Sequence, residues 1–168
     1  MGRAENNMIT YADKGVGLSN AIRKSGHFLR EENGVFVSSD DIAVQAIIDA
    51  YDPIPELQAA MWLKIQAVRD SKKISGVTVG ANKFHSDEAS RIQQLGLVMM
   101  GASIPANLQW KAMGGEFVTM TSTLAMQIFG ATAASDTAIF SNAESHKAAM
   151  MSITDWTQIE GYDFSGGW

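Results

Sequence analysis

The chain has no cysteine, which excludes disulfides, thiolate metal sites, iron–sulfur clusters and cysteine nucleophiles together. Histidines and carboxylates alone remain as metal ligands. Charge is scarce: Asp, Glu, Lys and Arg make up 18% of the 168 residues, against about 25% in an ordinary soluble domain. No segment is a basic run, and 13 Lys plus Arg against 18 Asp plus Glu leave a net charge of -5. A nucleic-acid backbone or an anionic membrane surface therefore finds no cluster of cations to meet. The longest apolar run, Leu95 to Ala102, falls far short of the 18 or more residues of a membrane span. Met1-Gly2-Arg3-Ala4-Glu5-Asn6 holds neither an apolar signal core nor the Ser or Thr of a myristoylation signal, so the chain is expected to be made in a cytoplasm.

What remains is a chain with 46% hydrophobic residues, long enough to bury a core without staples. Its sparsely charged surface favours association. Ten methionines suit core filling or adaptable contact surfaces.

Periodicity and turn signals give an α+β chain with antiparallel hairpins. Residues 1–15 are polar and patternless. A helix is expected from Val16 to the helix-ending Gly26, then a hairpin over 27–37 around Asn33-Gly34, where both turn residues must tolerate positive φ. Ser39 is the expected cap of a helix with Asp40 and Asp41 in its first turn and Ala43, Ile47, Ala50 and Tyr51 on one face, Val44 and Ile48 beside them. Pro53 ends it, and Pro55 opens the next helix, whose stripe is Leu57, Met61, Lys64, Ile65 and Val68, widened by Trp62 and Leu63. A second hairpin is expected around Gly80-Ala81-Asn82. Ser86 is then the expected cap of a helix whose stripe Ile92, Leu95, Gly96 and Met99 should pack inward, toward Leu57, Met61, Ile65 and Val68 and the last helix. A third hairpin lies around Gly114-Gly115. Thr121 or Ser122 caps an alanine-rich helical region to about Met151, which Gly130 and Ser135-Asp136 are expected to break in two. Three stretches result: an N-terminal α/β-hairpin unit over 1–54, a helix-hairpin-helix-hairpin-helix unit over 55–154, and an aromatic tail over 155–168.

Chemistry-bearing patterns are few. His27, His85 and His146 fall on separate elements without paired ligand spacing, and read as structural or surface residues. His85-Ser86-Asp87-Glu88 crowds a histidine, a hydroxyl and two carboxylates, but helix capping accounts for the last three. Gly15-Val16-Gly17 precedes a helix yet lacks the third glycine, the lysine and the preceding strand of a phosphate cradle. Asp40 and Asp41 point to different faces of a helix, the wrong arrangement for paired acid and base. No G-x-S-x-G elbow occurs. The expectation is a protein that is not an enzyme, with no catalytic residue, metal or cofactor.

Between Trp62 and about Ile153 the chain contains KIQAVRDSKKISGVTVGANKFHSDEASRIQQLGLVMMGA, then LQWKAMGGEFVTMTSTLAMQIF, then ESHKAAM. This resembles a domain of unknown function found in tailed bacteriophages and prophages, at the end of tail-fibre proteins or in small proteins encoded beside them. NGVFVSSDDIAVQAIIDAYDP is similar to the portion that often precedes that domain, and YDFSGGW to its usual ending. The resemblance implies a binding role without establishing any catalytic or ligand residue. The chain is then a tail or tail-fibre-associated component of the virion, or a tail-fibre assembly chaperone that leaves the mature particle. Either would meet a tail-fibre or baseplate protein and form a homo- or hetero-oligomer, without nucleic acid or membrane. A third reading, from another class, is a host-recognition protein whose Trp and Tyr faces stack on sugars, against which Trp62 and Trp110 read as core residues.

The tail concentrates Trp156, Tyr162, Phe164 and Trp168 within residues 155–168, four of the fourteen aromatics. Rings of this size are costly to leave in water. They are the candidate partner-binding residues, and they either pack back across their own domain or anchor in a neighbouring subunit or fibre.

Overall fold

The computed structural model describes residues 9–168; residues 1–8 of the polar N-terminal stretch lie outside them. The described chain is α+β. Its helices are α1 (Val16–Lys24), α2 (Asp41–Ala50), α3 (Ile54–Lys73), α4 (Glu88–Met100), α5 (Ser122–Met151) and α6 (Trp156–Glu160). Three two-stranded antiparallel hairpins stand between them: β1 (Leu29–Glu32) with β2 (Val35–Ser38), β3 (Val77–Val79) with β4 (Asn82–Phe84), and β5 (Gln109–Lys111) with β6 (Phe117–Thr119). Two compact units form, and they do not follow chain order. One joins the residues through Met61 with Ile153–Tyr162; the other joins Trp62–Ser152 with Asp163–Trp168.

In the first unit Leu18 and Ile22 of α1 bury against Val44 and Ile48 of α2, with Ile9 beside them and Leu29, Phe36, Ile47 and Tyr51 at the margin. The β1–β2 turn needs two left-handed residues, and Asn33 (φ 52) and Gly34 (φ 78) supply them. Tyr11 stacks on Phe36 at 4.6 Å. The Lys14 ammonium donates to the carbonyls of Ile48 (2.6 Å) and Tyr51 (2.7 Å), a cation placed where α2 leaves acceptors unpaired and its dipole is negative.

In the second unit the core is Val77, Phe84, Leu97, Ala112, Met120, Ala125 and Ile128. The Met113 amide donates to the Lys83 carbonyl at 2.8 Å, tying the last two hairpins together. That approach depends on Gly76, at φ +92: a Cβ there would lie 2.3 Å from Met113 Sδ and 2.9 Å from the Phe84 carbonyl.

Two expected serine caps give way to the aspartate that follows. Asp40 accepts from the Ala43 amide and Asp87 from the Ser90 amide, while each serine has tertiary partners instead. Ser39 Oγ accepts from the Phe28 amide; the fully buried Ser86 Oγ accepts from the Gly76 amide and donates to the Lys73 carbonyl. Thr121 caps α5 as expected, accepting from Leu124. That helix runs unbroken over 30 residues, through Gly130 and Ser135-Asp136. Glycine costs a helix about 1 kcal/mol but removes no backbone donor, and Asp136 is held from outside by Arg91. Proline falls off expectation by one residue: α3 opens at Ile54, leaving Pro55 in the first turn.

The largest correction concerns α4. Ile92, Leu95 and Met99 point outward, at 65%, 44% and 80% exposure, and Gln94 and Leu97 form its buried line. Polar anchors set this rotation. Arg91 Nη1 and Nη2 bind the Asp136 carboxylate in a bidentate pair, Nη2 also donates to the Lys73 carbonyl, and Nε donates to the Ser86 carbonyl. Gln94 Nε2 donates to the His85 carbonyl at 2.7 Å. On α3, Met61 and Ile65 are buried, whereas Leu63 and Lys64 of the expected stripe are exposed.

Hydrogen bonding from Arg91 holds the Asp136 carboxyl below the usual carboxylate range. Because the folded group titrates below the unfolded one, at about 3.9, its contribution is complete above that value and fades as pH falls through the folded pKa beneath it. Asp136→Asn should cost about 1.5–3 kcal/mol at neutral pH. Urea titrations at a series of pH values should show the gap between parent and variant closing in acid. Phe84→Ala, emptying the centre of the second core, should cost about 3–5 kcal/mol in the same assay at pH 7.

Candidate functional site

The residues singled out from the sequence are dispersed. Trp156 opens α6 and lies against Gly15, where a Cβ would sit 3.5 Å from its ring. Tyr162 follows α6, its amide donating to the Ile159 carbonyl. Both belong to the first unit. Phe164 and Trp168 belong to the second, where the Trp168 indole stacks on His146 at 5.4 Å and its Nε1 donates to the Phe164 carbonyl at 2.7 Å. All four rings are half-buried on their own chain, two in each unit.

The histidines are equally separate. His27 Nδ1 lies 3.0 Å from Ser39 Oγ, His85 Nδ1 lies 3.9 Å from Asp87 Oδ2, and His146 Nε2 lies 3.0 Å from the Gly166 carbonyl. Among the described residues no three carboxylates or histidines are grouped to hold a metal ion, and no helix is long and apolar enough to cross a membrane. At Gly15-Val16-Gly17 a small cleft is lined by Lys14, Tyr51, Glu56 and Glu160. Lys14 is engaged by α2 carbonyls, the Gly15 amide donates to Asp13 Oδ1, and the Tyr51 hydroxyl donates to Glu56 Oε2. Burial, with Glu56 alongside, raises the Tyr51 phenol. With two glutamates on its walls and its lysine engaged, this cleft suits no anion.

The feature that stands out is a surface on α4 and α5. Arg91, near the start of α4, meets Asp136, while Leu97 and Val98 near its end share a core with Leu124, Ala125 and Ile128. The two helices therefore run antiparallel. On α4 the line facing α5 is 91, 94 and 98, and the apolar stripe Ile92, Leu95 and Met99 stands one residue later. On α5 the facing line is 125, 128, 132 and 136, and Met126, Phe129 and Ala133 stand one residue after the first three of these or directly beside them. One residue is a rotation of about 100°. Equal rotations on antiparallel helices turn to the same side, so the two stripes open on one face. Met126 is 65% and Phe129 44% exposed. Between the helices runs a cleft lined by Arg91, Gln94, Phe129, Thr132, Ala133 and Asp136. There the Gln94 Oε1, fully buried, meets no hydrogen-bond donor among the described residues.

The sequence shows this stripe but not its direction. What turned it outward was two polar residues, Arg91 and Gln94, whose partners lie on other elements; a polar residue at helical spacing carries no mark of a buried partner.

Replacing Trp168 by Ala removes the His146 stack and one hydrogen bond. It should lower stability by about 1–2 kcal/mol, read as a fall in Tm of a few degrees.

No curated protein and no solved structure matches the chain. Residues 56–165, from the first turn of α3 to just short of the C-terminus, match the family described as Domain of unknown function (DUF4376). With well over half its length inside that match, and with α4, α5 and the second and third hairpins all within it, the chain belongs to the DUF4376 family.

Proposed function

We propose that this protein is a non-enzymatic, tail or tail-fibre-associated structural component of a tailed-bacteriophage virion, made in the host cytoplasm and acting through contacts with a tail-fibre or baseplate protein. The observation that carries a binding role is the outward apolar face of α4 and α5, whose large side chains stand between 44% and 80% exposed. The phage setting rests on the motifs quoted above, from KIQAVRD to ESHKAAM. The strongest polar side chains serve the fold: Arg91 and Asp136 bind each other, Lys14 closes α2, and Gln94 holds the His85 carbonyl. The sugar-binding reading draws no comparable support. Lys147 Nζ stands over the Trp62 ring at 4.8 Å, and His146 covers a face of Trp168.

Mass spectrometry of purified particles is the test, with the protein expected at a stoichiometry matching a tail symmetry. Absence from finished particles that nevertheless require the gene would overturn the component reading in favour of an assembly chaperone. Leu95→Glu with Met99→Glu should leave the circular-dichroism spectrum unchanged and lower incorporation at least tenfold.

A further inference from the structure

We infer that the α4/α5 face is closed by the same face of a second copy of this chain, in an isologous contact that places four helices in one layer pair. The inference deepens the binding role proposed above by naming an occupant, and it is independent of the phage setting.

Area is the first argument. Ile92, Leu95, Met99, Met126 and Phe129 leave on the order of 500 Å² of apolar surface in water, at the upper end of what monomers show. With a polar rim this approaches the roughly 800 Å² that each partner gives to a standard stable interface.

Charge is the second. Over the thirteen residues of α4 the ionic side chains are Glu88 and Arg91, and from Ser122 to Ala143 of α5 the only one is Asp136. Arg91 and Asp136 neutralise each other across the cleft, and Glu88 stands at one end. A partner selected by charge would find nothing to read here, whereas a second copy meets no like charge despite the net -5. Shape is consistent with this. Gly96, Gly130 and Ala133 lie among the large residues as hollows, and nothing stands within 4 Å of a Cβ built at either glycine. A surface carrying both knobs and hollows can be its own complement under a twofold axis. Methionine at positions 99 and 126 lets the fit adapt.

Sedimentation velocity of the full chain should give a species of twice 18.1 kDa. Leu95→Glu with Met99→Glu should weaken self-association roughly 100-fold and give the single-chain mass with an unchanged circular-dichroism spectrum. Leu63→Glu, an equally exposed apolar site on α3, should leave the dimer intact. Pulsed peroxide labelling supplies a readout that needs no variant. In the single chain Met99 and Met126 are far more exposed than Met113 at 39%, so they should oxidise first in a monomer; in the dimer Met113 should overtake both. A monomer at tens of micromolar, or a dimer in which Met99 and Met126 stay the fastest to oxidise, overturns the inference. A dimer closed through this face but missing from particles would keep the inference and sink the tail reading. A monomer that still enters particles through the same residues would do the reverse and assign the face to a foreign partner.

Discussion

The second unit is organised around one guanidinium. Arg91 reaches the Asp136 carboxylate on α5, the Lys73 carbonyl at the end of α3 and the Ser86 carbonyl before α4. Three elements are thereby fixed to one planar fork, which offers five donors in a rigid geometry and cannot be neutralised. Ser86 extends the knot by donating to the same Lys73 carbonyl and accepting from Gly76. With these groups satisfied, α4 has one rotation available to it. Leu97 goes inward onto Phe84 and Ile128, and Ile92, Leu95 and Met99 go outward.

Much of the architecture was legible in local sequence, and the reason is that its determinants are local. Asn33-Gly34 specifies a turn through the conformations those two residues tolerate, and Thr121 caps α5 with a partner three residues on. Ser39 and Ser86 misled because a hydroxyl before a helix competes with an adjacent aspartate, and the outcome was settled by the Phe28, Gly76 and Lys73 backbone rather than by the helix itself. Gly130 misled because a glycine inside a helix that is supported along its length costs too little to end it.

The candidate site was half legible for the same reason. A stripe of Ile92, Leu95, Gly96 and Met99 can be read from spacing, but an apolar stripe is ordinarily the buried one. Its direction depended on a bond between residues 45 apart in the chain, which no window of helical length contains. The tail aromatics show the converse. Their number gave the correct sense that rings so close together must find cover, but not that two would find it in one unit and two in the other.

The interleaving of the units has a consequence for synthesis. The core side chains of the second unit, Val77 through Ile128, are all synthesised before Ile159. Ile159 is fully buried and belongs with the residues through Met61. Each unit thus waits for a late segment: the first for Ile153–Tyr162 with α6, the second for Asp163–Trp168. The residues through Met61 therefore stay without α6 and its buried Ile159 while some ninety intervening residues are made, and apolar surface left open in that interval is available to proteases and chaperones.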